Sequence, residues 1–191
     1  FVSLQVLRNI CGIELSKESI AKSFAEVCTL TGLRGRWEVL SQSPLTICDT
    51  GHNGHGIRYV AEQLSSLIAS SPHRLSPHRL HIILGMVNDK DIDTVLGLLP
   101  TEAVYYFTQP ATSRALPAEE LLRRWQVLHP IVNTQSPISD TQSPISDTQY
   151  PISAYPSVRE ALTEVQKAAT ADDIIFIGGS NYVVGEVLQQ F

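Results

Sequence analysis

The sequence is short of the features that announce many specialised functions. It has three cysteines, Cys11, Cys28 and Cys48, odd in number and widely spaced. There is no Cys-x-x-Cys or Cys-x-x-His pair, so neither a zinc site nor a disulfide framework has its spacing. The thiols are expected as reduced core residues of a cytoplasmic protein. No apolar run approaches the ~20 residues that a membrane-spanning helix needs, and no basic run suits an anionic membrane surface. A net charge of −5 gives no electrostatic footprint for nucleic acid. Neither membrane nor nucleic acid is therefore expected as a partner. The segment from Phe1 lacks the basic start, long apolar run and cleavage site of a secretory signal. A Gly-x-x-x-x-Gly-Lys-Ser/Thr phosphate loop is missing as well. What is present is a composition able to build a core: 191 residues, 43% hydrophobic and 17% charged. That fits one domain with an appendage, or two small ones.

Along the chain, Val2, Leu4, Val6, Leu7 and Ile10 form the apolar stripe of a helix that stops at Gly12. A chain that opens in mid-helix, without methionine, is expected to be part of a longer one. A second helix is predicted from Ser16 as N-cap to about Thr29. Thr31 to Gly35 then breaks the pattern, which places a boundary between residues 1–35 and 36–191. Arg36 to Leu40 and Leu45 to Cys48 read as strands. The link between them is too short for a parallel crossover, so the pair is predicted antiparallel. From there strands and helices alternate. The strands are His81 to Met86, Ala103 to Phe107 and Ile174 to Ile177. Helices follow Gly54 and Asp91, Pro117 sits in the first turn of a third, a fourth runs from Val158 to Ala169, and a last one from Tyr182 to Leu188. This alternation predicts an α/β fold, a Rossmann-like and mainly parallel sheet with one antiparallel strand and helices on both faces, preceded by a short helical segment. Two tandem repeats interrupt it. Ser71 to Leu75 recurs as Ser76 to Leu80, and Thr134 to Asp140 recurs as Thr141 to Asp147 and degenerately as Thr148 to Ser153. Units this short cannot stack as a solenoid; 71–80 and 134–153 are expected to be surface loops.

The stretch Asp49-Thr50-Gly51-His52-Asn53-Gly54 carries the densest chemistry. It joins a strand to a helix, so it lies at the carboxyl end of a strand, where open α/β sheets bind ligands. A carboxylate that can accept from ribose, an imidazole that can donate to phosphate, and the free N–H groups of a helix start fall within six residues. Each has a structural alternative: Asp49 as a turn or capping residue, Asn53 as a tie for the turn through its amide. His52 and His55 have His-x-x-His spacing, but no Glu of a His-Glu-x-x-His helix and no third ligand accompany them. His73, His78, His81 and His129 show no constellation.

Arg36, the Asp49 to Asn53 turn, Gly85-Met86-Val87-Asn88-Asp89-Lys90-Asp91, Thr108 to Leu116 and Gly178-Gly179-Ser180 stand in one order and spacing. This set resembles the carboxyl-terminal part of folylpolyglutamate synthase/dihydrofolate synthase, in the Mur ligase superfamily. The family's Pro-Gly-Arg is Arg34-Gly35-Arg36 here, and its Asp-Gly-Ala-His-Asn-Pro departs at Gly51 and Gly54. The resemblance implies an ATP-dependent ligase that joins L-glutamate to folate or dihydropteroate through an acyl phosphate. ATP and Mg2+ would be the cofactors, with the magnesium ligands and phosphate loop in an amino-terminal ATPase domain that this chain does not contain. Residues 1–35 would be the helical tail of that domain, and 36–191 the glutamate ligase domain. Arg36, Asp49, His52 and Asn53 are implied on the nucleotide, and Lys90 and Ser180 on substrate. Neither a catalytic residue nor a protein metal ligand is assigned within the chain, which would be a monomer, inactive alone, whose partners are the ATPase domain and its substrates. Two rival readings stand beside this one: a stand-alone nucleotide-binding module without catalysis, and a metal hydrolase using Asp49, His52 and His55.

Overall fold

Strands buried on both faces read as near-continuous apolar runs, and three segments of the chain do so. In the computed structural model, which describes residues 2–70, 79–130 and 150–191, these are β3 (Leu80–Leu84), β4 (Val104–Thr108) and β6 (Ile174–Gly178), each buried throughout. With β1 (Glu38–Gln42), β2 (Leu45–Cys48) and β5 (Ile152–Tyr155) they form a six-stranded sheet in the order β1-β2-β6-β3-β4-β5. Only β1 and β2 are antiparallel; the other pairings are parallel. The two faces follow from alternation along each strand. Ile82, Leu84, Tyr105, Phe107 and Phe176 pack with α4 (Gly54–Ser70), α5 (Ile92–Leu98) and α6 (Ala118–Leu128). Ile83, Tyr106, Ile175 and Ile177 pack with α7 (Val158–Ala168) and α8 (Asn181–Val187) on the other face. The expected fold class is thus observed.

The chain divides into two compact units, Phe1–Arg36 and Trp37–Phe191. The first holds α1 (Val2–Asn9), α2 (Lys17–Ala25) and α3 (Val27–Thr31). None of these helices buries a residue, and Val2, Ile10, Phe24 and Leu30 are exposed. Ser16 caps α2 as expected, accepting from Ser19 N–H at 3.0 Å. The single predicted helix to Thr29 is instead two, because Glu26 leaves helical geometry at φ −102°, ψ 11°.

Other sequence expectations need correction. β1 begins at Glu38, two residues later than expected, because Trp37 has φ 45°, incompatible with a strand. Cys48 is a core thiol, but Cys28 is only half-buried and Cys11 is exposed beyond the end of α1. Of the repeat arrays, 71–78 and 134–149 lie outside the described residues, so the loop expectation there is not addressed. Their last residues are described and are not loop: Leu80 opens β3, and Ile152 and Ser153 belong to β5. Ile152 pairs with Tyr105 on the β4 edge, and that tertiary contact overrides a turn-like composition.

Candidate functional site

The carboxyl ends of β2, β3, β4 and β6 converge because their connecting segments pack with almost no side chain between them. A Cβ on Gly85 would stand 2.7 Å from Thr108 O, and one on Gly178 would stand 3.0 Å from Asp49 O. Gly179 has φ 89° and abuts Gly85 O, a conformation that a side chain would strain. The segments after β3 and β4 are then zipped together. Asn88 N–H donates to Arg114 O (2.9 Å), Leu116 N–H to Met86 O (2.9 Å), and the Asn88 side chain to Ala115 O (3.2 Å). A pocket of about 170 Å³ opens between these segments, lined by His52, Lys90, Arg114, Ser180 and Tyr182 among others.

Three residues singled out in the sequence therefore meet: His52 from the turn after β2, Lys90 from the segment after β3, and Ser180 from the turn after β6. His52 donates from Nδ1 to Thr50 O (2.9 Å), since a carbonyl can only accept. This fixes the ring and leaves Nε2 as its other polar atom. Ser180 is buried and caps α8, accepting from Tyr182 N–H at 3.1 Å; its own hydroxyl proton is not used in that bond.

Lys90 and a residue not chosen from sequence, Arg114, share one anion. Arg114 Nη2 pairs with Asp89 Oδ2, and Lys90 Nζ stands 3.8 Å from Asp89 Oδ1. Loss of hydration pushes the Asp89 carboxyl up, but the hydrogen bond and charge of Arg114, with the charge of Lys90, outweigh it and hold the carboxyl below its ordinary value. The hydrogen bond from Arg114 to Asp89 and the charge of that carboxylate, with help from Tyr182, raise the guanidinium in turn. The pocket wall thus carries two cations on one tether, suited to an anionic ligand. The Ser113-Arg114-Ala115 segment was visible in the sequence, but only the zipped loops bring Arg114 to Lys90.

Asp49, Asn53 and Arg36 stand differently. Both Asp49 oxygens accept from backbone: Gly51 N–H on Oδ1 (2.7 Å) and Trp37 N–H on Oδ2 (2.8 Å). The carboxylate therefore braces the turn and the residue with φ 45°. Asn53 is the cap of α4, its Oδ1 accepting from Gly56 N–H at 2.8 Å. Gly54 serves close packing rather than a left-handed turn: a Cβ there would lie 2.9 Å from Thr94 Cγ2 of α5. Asp91 caps α5, taking Thr94 N–H and its hydroxyl. Arg36 is exposed at the end of the first unit. His55 packs edge-on against Tyr59 at 5.1 Å. Among the described residues no group of three or more His, Cys, Asp or Glu side chains is placed to hold a metal ion. Nor is any helix among them long and apolar enough to cross a membrane.

A family model described as Mur ligase, glutamate ligase domain, matches residues 35–181. The chain is 25% identical over 179 residues to the dihydrofolate synthase/folylpolyglutamate synthase of Escherichia coli K12, covering 93% of this chain and 34% of that protein. It is 27% identical over 153 residues to a probable bifunctional folylpolyglutamate synthase/dihydropteroate synthase of Haloferax volcanii, covering 80% and 15%. Among solved structures, E. coli FolC in complex with DHPP and ADP superposes with a TM-score of 0.69 at 24% identity, over 94% of this chain and 35% of that one. Mycobacterium tuberculosis folylpolyglutamate synthase complexed with ADP gives 0.66 at 20% identity, over 99% and 38%. The chain thus spans about a third of the length of the Escherichia coli relative.

Proposed function

The chain belongs to the Mur ligase family through its glutamate ligase domain, and from that premise we propose that it is the carboxyl-terminal domain of an ATP-dependent amide ligase that adds L-glutamate to folate or dihydropteroate. The observation that carries this reading is the pocket in which His52, Lys90, Arg114 and Ser180 meet at the carboxyl ends of the strands. Both substrates of such a ligase are anionic, and so is the phosphate that activates the acyl carbon. Lys90 and Arg114 hold the glutamate carboxylates; Asp89 keeps the two cations together without neutralising both. Ser180 adds a hydroxyl donor from a buried, capped position. His52, with its ring proton on Nδ1, orients the nucleotide by accepting at Nε2. Arg36 supplies a guanidinium to phosphate oxygens.

Asp49 serves the nucleotide with less freedom than its sequence position suggests. Two of its roughly four acceptor sites are taken by backbone N–H groups, so a ribose would use the remainder. Asn53 acts through the helix start that it caps. ATP supplies the leaving phosphate when bound, and Mg2+ screens its charge. The magnesium ligands and the phosphate loop are assigned to an amino-terminal ATPase domain. Residues 1–35 are assigned to the tail of that domain and 36–191 to the ligase domain. The coreless helices of the first unit, with Val2, Phe24 and Leu30 exposed, favour this division. The chain alone is then inactive, and the whole enzyme is a cytoplasmic monomer. As for the metal hydrolase, Asp49, His52 and His55 are each engaged by other groups, and no observation favours it.

The test is a chimera in which residues 36–191 replace the corresponding part of the Escherichia coli enzyme. Glutamate- and ATP-dependent amide formation is expected from the chimera and not from the chain alone. A folded chimera that releases no phosphate in the presence of dihydropteroate, folate and glutamate would overturn the assignment.

A further inference from the structure

The opposite end of the sheet holds a second cluster of polar side chains. At the amino ends of β3, β4 and β5 lies a cavity of about 200 Å³. One side is built on a buried network. His81 Nδ1 lies 3.1 Å from Tyr106 Oη, and His81 Nε2 lies 3.5 Å from Asp173 Oδ2 without hydrogen-bond geometry. Asp173 is occupied by Arg79 N–H (2.9 Å), Thr170 N–H (2.7 Å) and the Thr170 hydroxyl (2.9 Å). The network is therefore largely spent on itself.

Three hydrogen-bond donors on the cavity wall are not. The guanidinium of Arg79, the Ser153 hydroxyl and the Tyr155 hydroxyl have no hydrogen-bond or ion-pair partner among the described residues. Arg79 is close enough for its charge to act on both His81 and Tyr106. The anion that lines the same cavity, Glu164, is already paired with Lys167 at 2.7 Å. The remaining wall is apolar and aromatic, with Val104, Pro151 and the stacked Tyr106–Tyr155 pair, whose centroids are 5.8 Å apart. An unpaired planar cation in one cavity with an aromatic wall and two free hydroxyls matches a carboxylate borne on a flat apolar body. The space is sufficient, since a cavity of ~150 Å³ admits benzene.

We infer that this cavity is a second ligand site, for a small aromatic carboxylate, at the end of the sheet opposite the pocket of His52, Lys90 and Arg114. Arg79 engages the carboxylate, Ser153 and Tyr155 donate to it, and the ring lies along Val104, Pro151 and the tyrosines. The site does not depend on the ligase assignment and is tested on the chain as it stands. Benzoate is titrated into 15N-labelled protein, with calorimetry in parallel. Saturable binding is expected in the roughly millimolar range proper to so small a ligand, with shifts centred on Arg79, His81, Tyr106 and Tyr155. Arg79→Met should weaken it at least about tenfold; the side chain is exposed, and its backbone bond to Asp173 is retained. Glu164→Gln should tighten it by removing the opposing charge. Benzamidine, the same ring with a positive group, should not bind. Failure to saturate, equal binding of benzamidine, insensitivity to Arg79→Met, or shifts centred on Lys90 and Arg114 would each overturn the inference.

Discussion

The two ends of one sheet use charge in opposite ways. At the carboxyl ends, Lys90, Arg114 and Asp89 are one third to one half exposed and face an open pocket. At the amino ends, His81 and Asp173 are buried and tie β3 to the segment that leads into β6. Exposed ion pairs contribute little to stability because water screens them. A buried carboxylate that holds three N–H and O–H donors cannot be removed without leaving those donors unpaired. The Lys90–Asp89–Arg114 group can therefore be altered for ligands at small structural cost, while the His81–Asp173 network is part of what keeps the sheet in register.

The strongest challenge to this contrast is Asp173→Ala. It should destabilise the chain by about 3–5 kcal/mol, the range for breaking a buried charged network, measured by denaturant unfolding. A loss below about 1 kcal/mol would put the two ends on an equal footing. Arg114→Ala is the mirror experiment. Its unfolding midpoint should stay within about 1 kcal/mol of wild type, while the active chimera loses about 1.5–3 kcal/mol of catalysis, the range for a hydrogen bond to a charged group. Unchanged kinetics would leave the pocket cations as ordinary surface residues.

Asp49→Ala sharpens the comparison, because this carboxylate lies at the carboxyl ends of the strands yet is wired like the buried one at the other end. It should lower stability by about 1–3 kcal/mol in the isolated chain without any nucleotide, from the loss of two backbone bonds. An unaltered melt with damaged nucleotide binding would mean that ribose, not the turn, accounts for the residue. The smallest effect is in pH. Burial lowers His81 below its ordinary 6.5, more than Asp173 raises it. The folded chain then binds fewer protons than the unfolded one as pH falls through 6.5, so His81 costs stability from there down to its folded value. Thermal melts of wild type and His81→Gln should diverge below that pH, with wild type losing ground. Parallel curves would show that His81 titrates normally.

Much of the fold follows from local pattern. Leu45 to Cys48 is a strand by its apolar run, Ser16 and Ser157 cap helices by their hydroxyls, and the short link at Ser43-Pro44 forces the β1–β2 pair to be antiparallel. The Asp49 turn could be picked out because a strand end is where loops of such composition bind ligands, and Lys90 because its Asp89-Lys90-Asp91 segment resembles the family. β5 could not be recognised in this way. It is four residues long, follows Pro151 and shares its first residues with a repeat; only the open edge of β4 makes it a strand. Asp49 was legible as an important residue but not as a brace for Trp37, since a side chain's partner is not a local property.

The sequence by itself determined most element types and the antiparallel start, because hydrophobic period, capping groups and turn residues act within a few positions, and the order of its motifs carried the resemblance to the family. Tertiary structure alone decided that β6 inserts between β2 and β3, that Arg114 stands beside Lys90, and that His81 meets Asp173 across 92 positions of chain (173 − 81). Those outcomes depend on which apolar faces cover one another, and that choice is settled by burial summed over the whole sheet rather than by any segment in it.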